Sequence, residues 1–276
     1  MTTHPIYQVD AFASQLFAGN PAAVVPLDKF FDTKTMQAIA FENNLSETAF
    51  VVRRRDGSYD LRWFTPLAEV DFCGHATIAA AHVLLSELDA ISPLVFHTKV
   101  GPLEVTNGTH EYVMRYTMRS PAFPMMERSL SPALLDTFNG LPTAAWQSRK
   151  NVFLMFPSAN TVANFQPDFS AIKSLSSEQG VDEGIVIMAQ GDGKTYNKYD
   201  FISRYFVPAF GIDEDPVTGS NHASLAPFWA KRLGKSVMTA YQASGRGGVL
   251  DLSVTENQVF MTGHAVTYLR GEIFLP

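Results

Sequence analysis

The sequence predicts an α+β protein built from two similar halves, each an antiparallel sheet wrapped around one helix. Three observations support this class. Alternation of apolar and polar residues, which is typical of half-buried strands, dominates the chain. Few stretches have helical periodicity, and two of them are apolar and lie about half a chain apart. The 276 residues are also enough for two domains of ordinary size.

Strand patterns begin near the N-terminus and recur to the end of the chain. Ile6–Phe12 alternates apolar and polar side chains, as a half-buried strand does. The same reasoning predicts further strands at 22–25, 50–52, 61–64, 94–97, 103–106, 112–116, 151–156, 184–190, 201–207, 248–254, 259–262 and 265–269. Asp192-Gly193 and Arg270-Gly271 indicate hairpin turns between strands.

Three stretches predict helices. Thr33–Glu42 places apolar residues on one face. Gly74–Leu88 is apolar nearly all round, so we expect it to be buried on every side. Gly219–Leu233 is similar in its first half, but Pro227 lies inside it and predicts a kink or a break into two helices.

A proline-rich segment separates the two predicted halves. Residues 120–132 contain three prolines, which break regular structure and predict a linker between domains. We therefore expect an N-terminal half at 1–120 and a C-terminal half at 130–276. In this prediction the last strand or strands are free to return to the N-terminal half.

The two apolar helices resemble a repeat. Each follows an acidic turn, Glu69–Asp71 in one case and Asp213–Asp215 in the other. Each opens with glycine followed by small residues and a histidine, as Gly74–Ala76 and Gly219–Ala223. Because glycine before a helix is common, this spacing alone leaves open whether the halves are related or the likeness is chance.

Composition and charge exclude several classes of partner. The net charge of −6 argues against nucleic acid and against an anionic membrane surface. No apolar run approaches the roughly 20 residues of a membrane span, and the N-terminus lacks a secretory pattern. The single cysteine, Cys73, permits no intrachain disulfide. We therefore expect a cytoplasmic protein without a nucleic-acid or membrane partner.

The sequence also predicts no metal site. One cysteine argues against a cysteine-based zinc site. Asp213, Glu214 and Asp215 are adjacent and precede Pro216, so their side chains cannot all point to one ion. The glycine-rich nucleotide motifs, the H-E-x-x-H zinc motif and the G-x-S-x-G elbow do not occur in the sequence.

The starts of the two apolar helices are candidate sites. A helix N-terminus has unpaired N–H groups and partial positive charge, so it binds carboxylates. Acid/base side chains lie nearby in the sequence: His75, Asp215, Ser220 and His222. The alternative is that the glycines ease tight turns, Asp215 is hydrated and the histidines are packed.

Two more residues have open interpretations. Glu47 begins a predicted strand, where a glutamate in an apolar cleft has a raised pKa and works as a general acid or base. The alternative is a hydrated turn glutamate. Cys73 precedes Gly74, where a helix N-terminus lowers a thiol pKa, or it is a small buried apolar residue.

Several motifs in order resemble the PhzF-like (phenazine biosynthesis) family, which shares its fold with diaminopimelate epimerase. They run along most of the chain: Asp10–Phe12 with Gly19–Val24, Leu45–Phe50, Arg62–Pro66, Cys73–Thr77, Asp215–Ser220 and Gln242–Gly248. The resemblance implies two pseudo-symmetric halves, each a sheet rolled into a barrel around a central helix, with a substrate cleft between them. It also implies a homodimer and an isomerase that uses no cofactor.

The resemblance assigns roles to seven residues. The implied catalytic residues are Glu47 as the proton shuttle, with His75, Asp215 and Ser220 assisting. The implied substrate-binding residues are Asn20, Gly74 and Gly219, the last two through backbone N–H groups that meet a substrate carboxylate.

The cysteine count decides between two reactions of this fold. Two-base epimerases use a pair of cysteines, and this chain has one, so we expect a one-base proton shift by Glu47 that moves a double bond. Two other functions are a non-catalytic small-molecule-binding protein of the same fold and a serine hydrolase using Ser220, His222 and Asp215. The family commonly carries alanine at the position of Asn221, so the pocket beside Ser220 is expected to differ.

Overall fold

The computed structural model describes residues 1–110, 113–178 and 184–275. The chain divides into two compact units. Unit 1 is Met1–Ser120 together with Phe260–Pro276, and unit 2 is Pro121–Val259. The predicted strand at 112–116 begins at a residue outside the described ranges. Among the described residues, no helix combines the length and apolar character that a membrane crossing requires.

Strands outnumber helices in the part of the chain that the structure describes. Up to residue 121 the elements are β1 (Thr2–Ala11), β2 (Asn20–Leu27), α1 (Thr33–Asn43), β3 (Glu47–Arg53), β4 (Tyr59–Phe64), β5 (Glu69–Val70), α2 (Gly74–Ser86), β6 (Leu94–Thr98), β7 (Gly101–His110) and β8 (Val113–Pro121). From 126 to 215 they are β9 (Met126–Arg128), α3 (Pro132–Thr137), β10 (Ala144–Ser148), β11 (Asn151–Met155), α4 (Ala159–Asn164), α5 (Phe169–Glu178), β12 (Ile185–Gln190), α6 (Gly193–Tyr196), β13 (Phe201–Val207) and β14 (Ile212–Asp215). The rest are α7 (Gly219–Leu233), β15 (Val237–Gln242), β16 (Gly248–Val254), β17 (Gln258–Gly263) and β18 (Ala265–Leu275).

The sheet of unit 1 is mixed, which corrects the prediction of an antiparallel sheet. β2 pairs parallel to β3, and β4 pairs parallel to β6. The pairs β1–β2, β3–β4, β6–β7, β7–β8 and β1–β18 are antiparallel. The physical reason is the connections: α1 carries the chain from β2 to β3 and α2 carries it from β4 to β6, and such crossovers join parallel strands.

Unit 2 has the same order of pairings. β10–β11, β12–β13 and β15–β16 are antiparallel, whereas β11–β12 and β13–β15 are parallel. Helices again supply the crossovers, α4 and α5 between the first parallel pair and α7 between the second. The fold is therefore α+β, with much sheet and few helices.

Helix α2 forms the centre of unit 1's packing. Every residue from Gly74 to Leu84 is buried, as the all-round apolar sequence predicts. Ile78 and Val83 are fully inaccessible, and burying one such side chain contributes about 2 kcal/mol. A second core in unit 2 surrounds α4 and α5, with Ile187 of β12 at 0% exposure.

Helix α7 runs unbroken through Pro227, so the predicted break into two helices is wrong. A proline has no N–H to donate to the carbonyl four residues earlier, which is that of Ala223. The backbone N–H of Phe123 donates to this carbonyl instead, at 3.0 Å. A donor from outside the helix thus satisfies the oxygen that Pro227 leaves free.

The predicted linker contains regular structure, which corrects a second expectation. β9 lies within 120–132 and pairs antiparallel with β10, Glu127 opposite Trp146. The prolines at 121, 124 and 132 flank this strand without interrupting it. A proline removes only its own N–H, so three consecutive other residues can still pair.

Neither predicted hairpin is a tight turn: Asp192-Gly193 lies in the longer connection, residues 191–200, between the antiparallel strands β12 and β13, and Arg270-Gly271 lies inside a strand. Asp192 precedes α6, and its carboxylate accepts a hydrogen bond from the Ala159 N–H at 3.1 Å. Arg270 and Gly271 lie inside β18, opposite Tyr7 and Ile6 of β1. β18 continues past them because β1 offers a partner as far as Thr2.

Candidate active site

Three side chains meet at the start of helix α2. Nε2 of His75 lies 2.9 Å from Oε2 of Glu47, and Nδ1 lies 3.0 Å from the amide nitrogen of Asn20. Asn20 and Glu47 are the first residues of β2 and β3, which pair in parallel with Ala22 opposite Glu47. Parallel strands that start together therefore bring these residues to one place, although they lie far apart in sequence.

The backbone before Asn20 is specially shaped. Gly19 has a positive φ of 66°, which residues with a side chain adopt at a cost. A Cβ atom there would also collide with the carbonyl oxygen of Ala11. The glycine of this motif thus allows the close approach that positions Asn20.

Burial and charge set the protonation of His75. Its side chain is 4% exposed and that of Glu47 is 15% exposed. Burial alone would favour the neutral ring, but Cys73 and Glu47 beside it together raise the pKa of His75 well above its ordinary value. Burial, and then the Glu47 charge, raise the pKa of the Cys73 thiol to about 11, so the thiol is neutral at neutral pH. Cys73 and Glu47 are thus the two neighbours that raise the pKa of His75 against the effect of burial.

The contact between Glu47 and His75 is close without being an aligned hydrogen bond. The two atoms are 2.9 Å apart, yet Oε2 receives no hydrogen bond of good geometry from any described residue. This oxygen is buried and faces a cation, with no donor committed to it.

The Cys73 sulfur lies over the His75 ring. It is 3.6 Å from Nδ1 and 3.9 Å from Nε2, distances that an in-plane position could not give without a clash at the carbon between them. Of the two interpretations of Cys73, the structure supports the buried apolar one, since the residue is 5% exposed. The prediction of a lowered thiol pKa is wrong, because burial raises this pKa more than the helix N-terminus lowers it.

A second group of predicted residues lies in unit 2, at the start of α7. The hydroxyl of Thr218 donates to the Asp215 carboxylate, and its N–H donates to Oε1 of Gln242 at 2.9 Å. Nε2 of Gln242 donates to the Asp215 carbonyl at 2.8 Å. These bonds fix the loop that presents Gly219 and Ser220, of which Ser220 is half-buried.

His222 is packed rather than catalytic. The residue is fully buried, and this burial lowers its pKa to about 4, so the ring is neutral at pH 7. Nδ1 donates to the Thr218 carbonyl at 2.8 Å. A serine hydrolase needs this nitrogen to face a carboxylate such as Asp215, so the geometry does not support that function.

Asn221 belongs to a buried chain of amides. Its oxygen accepts from the Asn151 amide at 2.7 Å, and the Asn151 oxygen accepts from the Tyr205 hydroxyl at 3.1 Å. With 3% exposure, Asn221 is anchored to β11. The sequence does not predict the hydrogen bond between Asn221 and Asn151, because this contact depends on where β11 lies in the fold.

The predicted site residues thus fall into two groups: Asn20, Glu47, Gly74 and His75 in unit 1, and Asp215, Gly219 and Ser220 in unit 2. Sequence reasoning missed the part that Thr218 and Gln242 take in holding Asp215. Both lie within the motifs that carry the family resemblance, so the signal was present.

Comparison with known proteins agrees with these features. A family model described as "phenazine biosynthesis-like protein" matches residues 9–271. A protein of Pseudomonas aeruginosa named as an uncharacterized isomerase is 43% identical, over 98% of each chain. Another so named, from Halalkalibacterium halodurans, is 41% identical over 100% of each. The crystal structure of a PhzF family protein from Enterococcus faecalis superposes with a TM-score of 0.90 at 42% identity, covering 99% of this chain and 100% of that one.

Proposed function

Because this chain belongs to the PhzC-PhzF (phenazine biosynthesis-like) family, we propose that it is an isomerase acting on a small carboxylate-bearing molecule, with Glu47 as the acid/base group. The single observation that carries this proposal is the buried contact of Glu47 with His75. A general base has to lie within hydrogen-bond reach of the proton it takes, in a site that shields it from water.

The proposed reaction is a proton shift that moves a double bond. Glu47 removes a proton from a carbon next to a double bond, and the electrons of that C–H bond form a new double bond. The electrons of the old double bond take the proton back from Glu47 at the far carbon. No atom is gained or lost, and the carboxylate is regenerated.

His75 stabilises the charge that develops during this transfer. Its imidazolium lies beside the Glu47 carboxylate, and a fixed positive charge near the reacting atoms stabilises the negative charge that develops on the substrate. The Asn20 amide meets the other ring nitrogen and orients the ring. An amide can serve either protonation state, because its nitrogen donates to a bare Nδ1 and its oxygen accepts from Nδ1–H.

We assign substrate binding to the two helix starts. The first N–H groups of α2 and α7, at Gly74 and Gly219, have no partner within their helices and suit a carboxylate. Asp215 and Ser220 are proposed to assist proton transfer or to hold the substrate. The proposal includes catalysis without a metal or organic cofactor, since Glu47 both takes up the proton and returns it.

The proposal also concerns the architecture. The identical order of strand pairings in units 1 and 2 supports two pseudo-symmetric halves, each rolled into a barrel around its long helix. We keep the homodimer and the cytoplasmic location as parts of the proposal. Sedimentation equilibrium tests the dimer, and cell fractionation tests the location.

The deciding experiment is proton NMR in D₂O with a panel of small cyclic and acyclic carboxylic acids. Wild type is expected to introduce deuterium at a substrate carbon or to move a double bond, and Glu47→Gln to do neither. Glu42→Gln, an exposed glutamate five residues earlier, is the matched control and should behave as wild type. Saturable binding without exchange, unchanged in Glu47→Gln, would instead establish the non-catalytic binding protein.

A further inference from the structure

We propose that Glu47, Cys73 and His75 form a binding site for a thiophilic divalent cation of the zinc class, and that an ion bound there inhibits the proposed isomerase. One donor atom from each residue lies within 4.8 Å of the other two. The three residues belong to the start of β3 and the start of α2, so the fold brings the donors together without a metal.

The distances between the donor atoms are close to those of a tetrahedral ion without matching them. Zinc–ligand bonds of about 2.0–2.3 Å place neighbouring ligand atoms about 3.4–3.6 Å apart. Nε2 of His75 is 3.9 Å from the Cys73 sulfur and 2.9 Å from Oε2 of Glu47. Because the sulfur lies over the ring, a turn of the imidazole is needed to aim Nε2 and the sulfur at one ion.

The donor types select the metal. A thiolate, an imidazole and a carboxylate form a set that zinc and cadmium prefer, whereas magnesium and calcium prefer oxygen alone. Three protein ligands leave a fourth position open, as in zinc sites that also hold water. Asn20 next to Nδ1 supplies the outer contact that orients a metal-binding histidine.

The sequence predicts no metal site, because it has a single cysteine, because its adjacent acidic residues cannot share one ion and because it lacks the known zinc motif. One cysteine is too few for a structural zinc site, but one is enough when a histidine and a glutamate complete the set. Binding releases the thiol proton of Cys73 and any proton on the coordinating nitrogen of His75. The affinity is therefore expected to rise with pH.

Inhibition is the part that rests on the proposed function. A coordinated ion occupies the Glu47 oxygen that would take the proton, and it replaces the charge on His75. Metal binding and proton transfer then exclude each other. The proposal that the three residues bind a metal ion does not depend on whether the protein is an isomerase.

The binding test is a titration of chelator-treated, dialysed protein with Cd²⁺, followed by the ultraviolet sulfur-to-cadmium band, and with Zn²⁺ by calorimetry. We expect one ion per chain, and Cys73→Ser should remove the band and weaken binding by more than about tenfold. Cys73→Ala serves as a second variant, and circular dichroism verifies that both fold. His97→Gln, a half-buried histidine of β6, is the control and should bind as wild type. Absence of the band, or equal binding by Cys73→Ser, would overturn the site.

The inhibition test adds Zn²⁺ or Mg²⁺ to the D₂O exchange reaction. Zinc at saturating concentration should stop exchange, chelator should restore it, and magnesium should have no effect. Continued exchange with zinc bound would overturn the inhibition while the site stands. A metal-free wild type that binds zinc but exchanges nothing would count against the proposed isomerase and leave the metal site intact.

Discussion

The charge on the His75 imidazole depends on a neighbouring carboxylate. Its pKa is raised well above the ordinary value although burial acts in the opposite direction. Glu47→Gln removes the anion and keeps the shape of the side chain. We therefore expect the pKa of His75 to fall in this variant, as measured from the ring proton or nitrogen shifts in an NMR pH titration.

The same substitution has a consequence for stability. A histidine whose pKa is raised on folding stabilises the protein below its unfolded pKa, and loses this contribution as the pH rises through the folded value. The free-energy difference between wild type and Glu47→Gln should thus be largest in mildly acid solution and shrink in alkali. Glu42→Gln is the control, and a His75 pKa that does not move in Glu47→Gln would contradict the interpretation of the pair.

The candidate site was predictable as a set of residues and not as a set of contacts. Motif resemblance singled out Asn20, Glu47 and His75, and the structure brings them together. The contact itself depends on β2 and β3 starting side by side, which the sequence of either strand does not state. For Cys73, the sequence left open a lowered thiol pKa or a small buried apolar residue, and only the burial seen in the structure decides between them.

Helix α2 is anchored at its far end by a chain of hydrogen bonds in unit 1. Thr267 of β18 donates to the Glu87 carboxylate at 2.8 Å, so its oxygen must accept from Nε2–H of His82, also at 2.8 Å. This places the proton on Nε2 and leaves Nδ1 as the acceptor for the Tyr116 hydroxyl of β8. Arg270 completes the chain by pairing with Glu87.

The buried position of His82 in these hydrogen bonds predicts how the stability of the protein depends on pH. Burial is the main cause that lowers the pKa of His82 to about 4. The unfolded chain binds a proton at this histidine near pH 6.5, and the folded chain does so only near pH 4. Each unit by which the pH falls from 6.5 towards 4 therefore lowers the free energy of unfolding by up to about 1.4 kcal/mol.

His82→Gln should make this decline shallower. The comparison is between unfolding free energies from urea titrations at neutral pH and at about pH 5. The variant is expected to lose less than wild type over this interval, although it starts lower because the hydrogen bonds of the ring are gone. His4→Gln, at a half-buried histidine of β1, is the control, and equal slopes for wild type and His82→Gln would show that the buried ring is not responsible.

Some helices and strands were predictable from the sequence and others were not, for physical reasons. α2 was predicted because its apolar residues continue around the whole helix. β9 was missed because prolines surround it, and the short helices α3, α4 and α6 have too few turns for a clear period. The parallel pairs were missed because strand direction depends on the crossover helices and not on alternation within a strand.

Unit 1 is discontinuous in sequence, and unit 2 is not. β18 returns from the end of the chain to pair with β1 over its whole length, from Thr2 opposite Leu275 to Ala11 opposite Ala265. Unit 2 is the single segment Pro121–Val259. The structure of unit 1 accordingly depends on the last residues of the chain, and that of unit 2 does not.

Deleting residues 260–276 should therefore damage one unit and spare the other. Without β18, strand β1 loses a partner and the His82 chain loses Thr267. We expect fast hydrogen exchange throughout unit 1 and retained protection in β11 to β13, measured by mass spectrometry of the truncated protein. The segment 121–259 alone is the companion experiment and should fold, whereas protection of β1 in the truncated chain would contradict this view.

The position of β18 also governs the order of events on the ribosome. Strands β9 to β16 of unit 2 all precede residue 255, whereas β1 of unit 1 pairs with β18, which is translated after them. Glu47 and His75 therefore belong to the unit that depends on a strand translated after all those of unit 2. An incomplete nascent chain should for that reason carry a finished second unit and no working proton-transfer pair.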